Sequence, residues 1–402
     1  MINLQFDTMN IKLSDRVQSI KPSPTLAVTA RAAAMRAAGK DIVGLGAGEP
    51  DFDTPEHIKQ AAIKAIQDGF TKYTPVGGTP SLKKAVVAKF KRENGLDYDV
   101  KQVLVSCGGK QSFYNLAQAL LNPGDEVIIP APYWVSYPDM VLLAGAVPVI
   151  IDAPQSQKFK ITPAQLKAAL TPKTRLFVIN SPSNPSGMAY DEAELKALGE
   201  VLKDYPEVVI ATDDMYEHIV WKAGSFRNIL NVCPELYDRT VVLNGVSKAY
   251  SMTGWRIGYA AGPEKLIEAM TNIQSQSTSN PTSISQVAAE TALNGDQSFI
   301  GEMVKAFKER HDYVVSELNS IPGISCLETD GTFYVLPNVQ GVIDRIPGIS
   351  DDLALSEHLI EHGGVAVVPG SAFGAPGHVR LSIATSMTNL RKAMERLKNS
   401  LT

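Results

Sequence analysis

The run T-V-V-L-N-G-V-S-K-A-Y-S-M-T-G-W-R, residues 240–256, sets an apolar, β-branched stretch directly against a serine, a lysine and an arginine. A lysine just beyond a buried strand is poorly placed for a side chain that prefers water, and lysines held in such positions often serve as amine nucleophiles. Lys248 is that lysine. Gly254 permits a backbone turn that bulkier residues resist, so Arg256 can fold back toward the same spot. Ser247 and Arg256 then suit a phosphate group. The competing reading is an ordinary surface loop that happens to carry a lysine and an arginine, and spacing alone does not choose between the two.

Outward from this run, between about residues 100 and 262, short β-branched stretches alternate with longer amphipathic ones. The short stretches fall at 102–105, 126–129, 147–151, 175–179, 208–211, 240–243 and 257–261. Several are apolar throughout, as expected of strands covered by helices on both faces. The pattern predicts an α/β domain with a mostly parallel central sheet between helices. Ahead of it a helix is predicted to open at Thr54 and Pro55, with Ile58, Ala61, Ala62, Ala65 and Ile66 on one face and Gly69 just past its end. Beyond residue 295, long charged helices such as 299–319 interleave with short strands near Phe333 and Val365 and at 379–383. The chain ends in a helix with Leu390, Met394, Leu397 and Leu401 on one side, which predicts a smaller α+β domain. The expected division is an N-terminal segment 1–45 packing with the small domain, a large domain 46–294 and a small domain 295–402.

Of 402 residues, 44% are hydrophobic and 20% charged, with 38 Lys plus Arg against 42 Asp plus Glu. That composition excludes a single helical bundle, a disordered tail or a histone-like protein. A net charge of −4 leaves no basic footprint for nucleic acid. The apolar stretch 127–151 is too broken by Pro130, Pro132, Pro138, Pro148 and Asp139 to cross a membrane. Cys107, Cys233 and Cys326 lack disulfide or metal spacing and fit a reducing compartment. Asp7, Lys12, Asp15 and Arg16 alternate with apolar residues at the start, unlike a signal peptide, so the expected location is cytoplasmic and the expected partners are small molecules.

Further chemistry-bearing stretches follow strands. C-G-G-K-Q-S-F at 107–113 has the strand, paired glycines and helix start that let backbone amides bind an anion. It is not a P-loop, since Gln111 stands where a Ser or Thr would hold magnesium. S-P-S-N-P-S-G at 181–187 and T-D-D-M-Y at 212–216 also sit at strand ends, where open α/β sheets bind ligands. Taken singly, an Asp there reads as a helix N-cap and an Asn-Pro as a turn. G-L-G-A-G at 44–48 lacks the spacing of a dinucleotide fingerprint. His358, Glu361 and His362 spell the H-x-x-E-H order of some zinc proteases, but Leu359 and Ile360 favour a packed helix ending at Gly363. No metal site is expected.

Together these stretches resemble the class I aminotransferases, fold type I enzymes that use pyridoxal 5′-phosphate, and most of all the bacterial and plant aspartate aminotransferase subgroup. The likeness runs from about residue 12 to the C-terminus. It is carried by G-A-G-E-P-D-F-D-T-P at 46–55, P-A-P-Y-W-V-S-Y-P at 130–138 and M-T-G-W-R-I-G-Y at 252–259. The resemblance implies Lys248 as Schiff-base lysine, Asp213 paired with the pyridine nitrogen, and Tyr216 and Asn184 donating to the ring oxygen. It implies Trp134 stacked on the ring, and Gly108, Gly109, Lys110, Ser247 and Arg256 around the phosphate. Tyr73 would join them from the neighbouring subunit of a homodimer with shared active sites. Arg380, in R-L-S-I-A, matches the arginine that clamps the substrate carboxylate, with Gly46, Lys110, Trp134 and Asn184 completing the substrate site.

The substrate's far end is less uniform within the family. Some members use a partner-subunit arginine between the Schiff-base lysine and the long small-domain helix, yet no Arg occurs here between Arg256 and Arg310. Lys110 is the expected substitute, pairing with the side-chain carboxylate of aspartate or glutamate. Ser186, where Thr is common, and Gly245, where some relatives have Ser, are departures that leave the chemistry intact. The expected activity is ping-pong transamination between aspartate and 2-oxoglutarate. Alternatives are aspartate/prephenate or broader amino-acid transamination, a carbon-sulfur lyase with the same cofactor, and a non-enzymatic regulator built on such a domain.

Overall fold

The computed structural model describes residues 11–401, so Asp7 lies outside the described residues. A short strand β1 (Val43–Gly44) precedes a seven-stranded sheet made of β2 (Val103–Ser106), β3 (Glu126–Ala131), β4 (Val147–Asp152), β5 (Thr174–Asn180), β6 (Val209–Asp213), β7 (Thr240–Gly245) and β8 (Gly258–Ala261). Their order is β2-β8-β7-β6-β5-β3-β4, and β8 alone runs antiparallel to its neighbours.

Side chains alternate cleanly across this sheet. Val103, Val105, Ile128, Phe177, Ile179, Ile210 and Val242 enter one core, whereas Leu104, Val127, Ile129, Leu176, Val178, Ala211, Val241 and Leu243 enter the other. Both faces are buried except along the edge strand β4, which is why the inner runs are apolar throughout rather than alternating with polar residues. Each such aliphatic side chain removed from water contributes about 1.5–3 kcal/mol.

The helix after the N-terminal segment spans Glu56–Gln67 and buries Ile58, Ala62 and Ala65. Two details differ from the expectation. Pro55 is the cap residue, while the Thr54 hydroxyl donates to the Ser251 carbonyl at 2.7 Å and fastens the segment to the turn after Lys248. Ile66 is 51% exposed, because at 3.6 residues per turn it sits about 80° round the helix from Ile58. The helix Asp352–His358 runs into a widened turn, Leu359–Gly363, and so ends at Gly363 as expected, with Gly364 capping it at φ +64. Within it, Glu361 accepts a hydrogen bond from Arg31.

A second core gathers the long helix Ser298–Asn319, the terminal helix Met387–Leu401 and the short strands β9 (Tyr334–Val335), β10 (Val365–Ala366), β11 (Val368–Pro369) and β12 (Val379–Ser382). β1 pairs in parallel with β10, Val43 opposite Val365. Tyr216 and Ile219, from the segment following β6, are buried in this same core, so the end of one sheet strand is tied to the second layer of structure. Among the described residues no helix is long and apolar enough to cross a membrane.

Candidate active site

The carboxyl ends of the parallel strands finish level with one another: Asn180 of β5 lies opposite Asp213 of β6, and Asp213 opposite Leu243 of β7. The loops leaving those ends open onto a cavity of about 400 Å³. That is a small-molecule volume. Lys248, Asp213, Tyr216, Asn184, Trp134, Lys110, Gly109, Ser247, Arg256 and Arg380 all line it, as do Gly48, Glu49, Asn180 and Tyr334.

Asp213 ends β6 without starting a helix. Its carboxylate accepts from the Tyr137 hydroxyl at 2.5 Å and from the Met215 amide at 3.2 Å. Burial pushes this carboxyl above the usual range, against the pull of Tyr137, the Met215 amide and the Lys248 charge, so it gains from a cationic partner in the cavity. Asn180 buttresses both neighbours, donating to the Asp213 carbonyl at 3.1 Å and accepting the Asn184 amide at 2.8 Å.

The Lys248 amine donates to the Gly48 carbonyl at 2.5 Å and lies 5.9 Å from the Tyr216 ring. Enclosure by protein, reinforced by the charge of Arg380, brings its pKa down to about 8, so the neutral, nucleophilic amine is far more populated near neutral pH than for an ordinary lysine and becomes the major form above about pH 8. The Tyr216 hydroxyl shares a hydrogen bond with that of Tyr334 at 3.0 Å, and burial holds its pKa well above the ordinary phenol value.

One corner of the cavity is built for an anion. The helix Gly109–Leu120 begins after Gly108, whose φ of +86 favours glycine. A Cβ on Gly108 would lie 2.4 Å from the Arg256 guanidinium, and one on Gly109 would lie 2.6 Å from the Met215 methyl. The glycines thus let backbone amides and Arg256 approach closely, at the positive end of a helix. Arg256 itself has φ +55 and donates to the Thr253 carbonyl at 2.8 Å.

Arg380 enters from β12 and is 2% exposed. It donates to the Asn184 side chain at 2.9 Å and to the Gly46 carbonyl at 2.8 Å, and its guanidinium lies 4.3 Å from the Tyr334 ring centre. Its Nε is buried without a hydrogen-bond partner. A guanidinium so desolvated, with a donor to spare, matches a carboxylate ligand. Lys110 sits 5.3 Å from the Trp134 ring, and Trp134 meets Tyr137 edge-on. Tyr73 is elsewhere on this chain: it is 92% exposed and does not line the cavity.

Residue reasoning missed Tyr137, Asn180 and Tyr334. Tyr137 lies three positions after Trp134 in P-A-P-Y-W-V-S-Y-P, and Asn180 directly follows the predicted strand 175–179, so both were open to discovery. Tyr334 had no local signal.

A nucleophilic lysine, a buried acceptor carboxylate and an amide-lined anion corner fit the aldehyde, ring nitrogen and phosphate of pyridoxal 5′-phosphate, and the architecture is that of a fold type I transferase. The chain belongs to the class I and II aminotransferases, whose family model matches residues 40–397. It is an aminotransferase that uses pyridoxal 5′-phosphate. An aspartate/prephenate aminotransferase of Nitrosomonas europaea is 62% identical over 97% of this chain and all of its own length. The crystal structure of an aspartate aminotransferase from Rhizobium meliloti superposes with TM-score 0.94 at 50% identity, covering 97% of this chain and 99% of that one. A Thermus thermophilus aspartate aminotransferase with maleate superposes with TM-score 0.92 at 44% identity, covering 97% of this chain and 100% of that one.

Proposed function

We propose that this enzyme moves the amino group of aspartate to 2-oxoglutarate in two half-reactions. One 2-oxo acid leaves before the second binds, and the amino group stays in the site between them. The observation that carries this reading is one cavity holding the Lys248 amine together with the cationic side chains Arg380 and Lys110. Bound pyridoxal phosphate supplies a reactive aldehyde carbon and an electron-accepting ring. Asp213 keeps the ring nitrogen protonated. Tyr216 and Asn184 donate to the ring oxygen, Trp134 covers a ring face, and Ser247, Arg256 and the amides of Gly108, Gly109 and Lys110 hold the phosphate. Arg380, steadied by Asn184 and Gly46, clamps the substrate's α-carboxylate. Lys248 anchors the coenzyme and, once released by substrate, carries the proton that moves during transfer.

Uptake of coenzyme by the coenzyme-free protein is expected to quicken as pH rises through about 8, because the Lys248 pKa is lowered to about 8 and only the neutral amine attacks an aldehyde. Stopped-flow absorbance would show this, and a rate flat across that range would contradict it.

Lys110 is assigned to the distal carboxylate; the maleate held by the Thermus relative is likewise a dicarboxylate. Lys110→Ala is expected to lower kcat/KM for aspartate about 10- to 100-fold while changing that for alanine or phenylalanine by no more than about twofold. Equal losses would remove the assignment. Prephenate is the favoured second acceptor, given the name of the Nitrosomonas relative. An assay with aspartate and 2-oxoglutarate or prephenate tests both readings. Release of oxo acid and ammonia without any acceptor would instead mark a lyase.

The same reading divides the chain at residues 46 and 295 and places it in the cytoplasm as a homodimer. The exposed apolar side chains Ile63, Ile66, Phe70 and Tyr73 support a second copy lying against the segment 63–73, with Tyr73 reaching the partner's phosphate corner. Sedimentation should therefore give twice the chain mass, and a monomer active at assay concentration would refute the shared site.

A further inference from the structure

Behind the cavity lies a buried ion pair that none of the roles above employs. Lys89 is 0% exposed, and its amine is paired with the buried carboxylate of Glu217. That carboxylate also accepts from the Asn94 side-chain amide at 2.7 Å and the Asn244 side-chain amide at 2.8 Å. Lys89 donates in turn to the Asn94 side-chain oxygen Oδ1 at 2.7 Å. Burial is the strongest single influence on Glu217 and works against its ionisation, but the Lys89 and His218 charges together with the hydrogen bonds from Lys89 and Asn94 outweigh it and hold the carboxyl below its usual range. At the outer end His218 meets Glu93 at 2.9 Å, and Lys89 lies 3.6 Å from the same Glu93 carboxylate.

Such a pair is a poor source of stability, since desolvating two charges offsets most of their attraction and apolar residues of similar volume often do as well. What the carboxylate provides is direction. It accepts from three parts of the chain: the helix Pro80–Lys89, the turn that follows it, and the end of β7. Glu217 itself directly follows Tyr216 in the turn that leaves Asp213, and Asn244 lies four residues before Lys248. The Asp214 amide reinforces the junction by donating to the Leu243 carbonyl at 2.9 Å.

We propose that Glu217, oriented by Lys89 and joined to Asn244, is a positioning residue that locks the Asp213–Tyr216 turn to the strand end leading into Ser247 and Lys248. The two halves of the site are thereby held in one register. This rests on the roles proposed above for Lys248 and Tyr216.

Three variants of the holoenzyme test it: Asn244→Ala, which leaves the ion pair in place; Glu217→Gln, which keeps the shape; and Lys89→Met combined with Glu217→Leu, which removes both charges. Measurements are kcat per bound coenzyme, KM for aspartate, the visible absorbance band of the bound coenzyme, and Tm. Misplacing reacting groups by about 1 Å can cost on the order of 100-fold in rate. We expect kcat to fall about 10- to 100-fold in all three, with KM for aspartate within about threefold and the visible band displaced. The double variant should keep a Tm close to that of the parent. Unchanged kcat per bound coenzyme and an unmoved band would overturn the inference whatever happens to Tm. Should the Glu217 variants fail to fold, Asn244→Ala alone decides by the same criteria. Turnover surviving in Lys248→Ala would defeat the underlying reading instead, so the two failures are distinguishable.

Discussion

Replacing Lys248 by alanine is expected to lower turnover by about 10⁴-fold or more and to abolish the visible band that the holoenzyme shows when its coenzyme is covalently held. The size of the effect follows from the double duty proposed for one amine. Its pKa is lowered to about 8 by enclosure and by Arg380, and it lies in the cavity with Asp213 and Tyr216, so no second lysine can take its place unless it enters the same space. Lys110 is the other lysine lining the cavity, and it sits against Trp134. The phosphate corner is untouched by the substitution, so coenzyme should still bind, released by dialysis far more readily. Steady-state kinetics and absorbance spectra of the purified variant are the checks. Substantial transamination by Lys248→Ala would show that the proton and the anchor belong to another residue.

Asp213→Asn is the second large effect. An amide has the shape of the carboxylate and can still accept from Tyr137, but it carries no charge to pair with a protonated ring nitrogen. Removing a preorganised electrostatic group of this kind costs on the order of 10²–10³ in kcat. KM for aspartate should change little, because Arg380 and Lys110 are unaffected. Tyr137→Phe, which removes only the 2.5 Å hydrogen bond to Asp213, should produce a much smaller loss. If Asp213→Asn retained more than about a tenth of parental kcat, the electron-sink role would be wrong.

Much of the large sheet could be read from residues alone. Each of its strands coincides with a predicted apolar run to within about two residues, because strands buried on both faces must be largely apolar; the edge strand β4, with Val147 and Ile150 exposed, shows only its β-branched run. The paired glycines at 108 and 109 were equally legible, since tight approach of Arg256 and Met215 leaves no room for a Cβ. Other features left no local trace. That β8 runs against its neighbours depends on how the loop 246–257 returns, and its composition resembles that of a parallel strand. Ile66 looked like a core residue because one apolar side chain too many fitted the helical stripe. Nothing in the sequence around Lys89 marks it, yet it is fully buried against Glu217, a residue 128 positions away.

Arg380 shows the division most clearly. As a residue it is one arginine on a short strand, and only its likeness to a family motif singled it out. Its guanidinium is held by the Gly46 carbonyl 334 positions earlier and the Asn184 side chain 196 positions earlier. By itself the sequence determined which segments hide both faces, where the chain can turn tightly, and which lysine follows a buried strand, because burial and backbone sterics act over a few neighbouring residues. Only the tertiary structure decided which of those groups share a cavity and how far their charges are desolvated. Both depend on packing between segments that lie far apart along the chain.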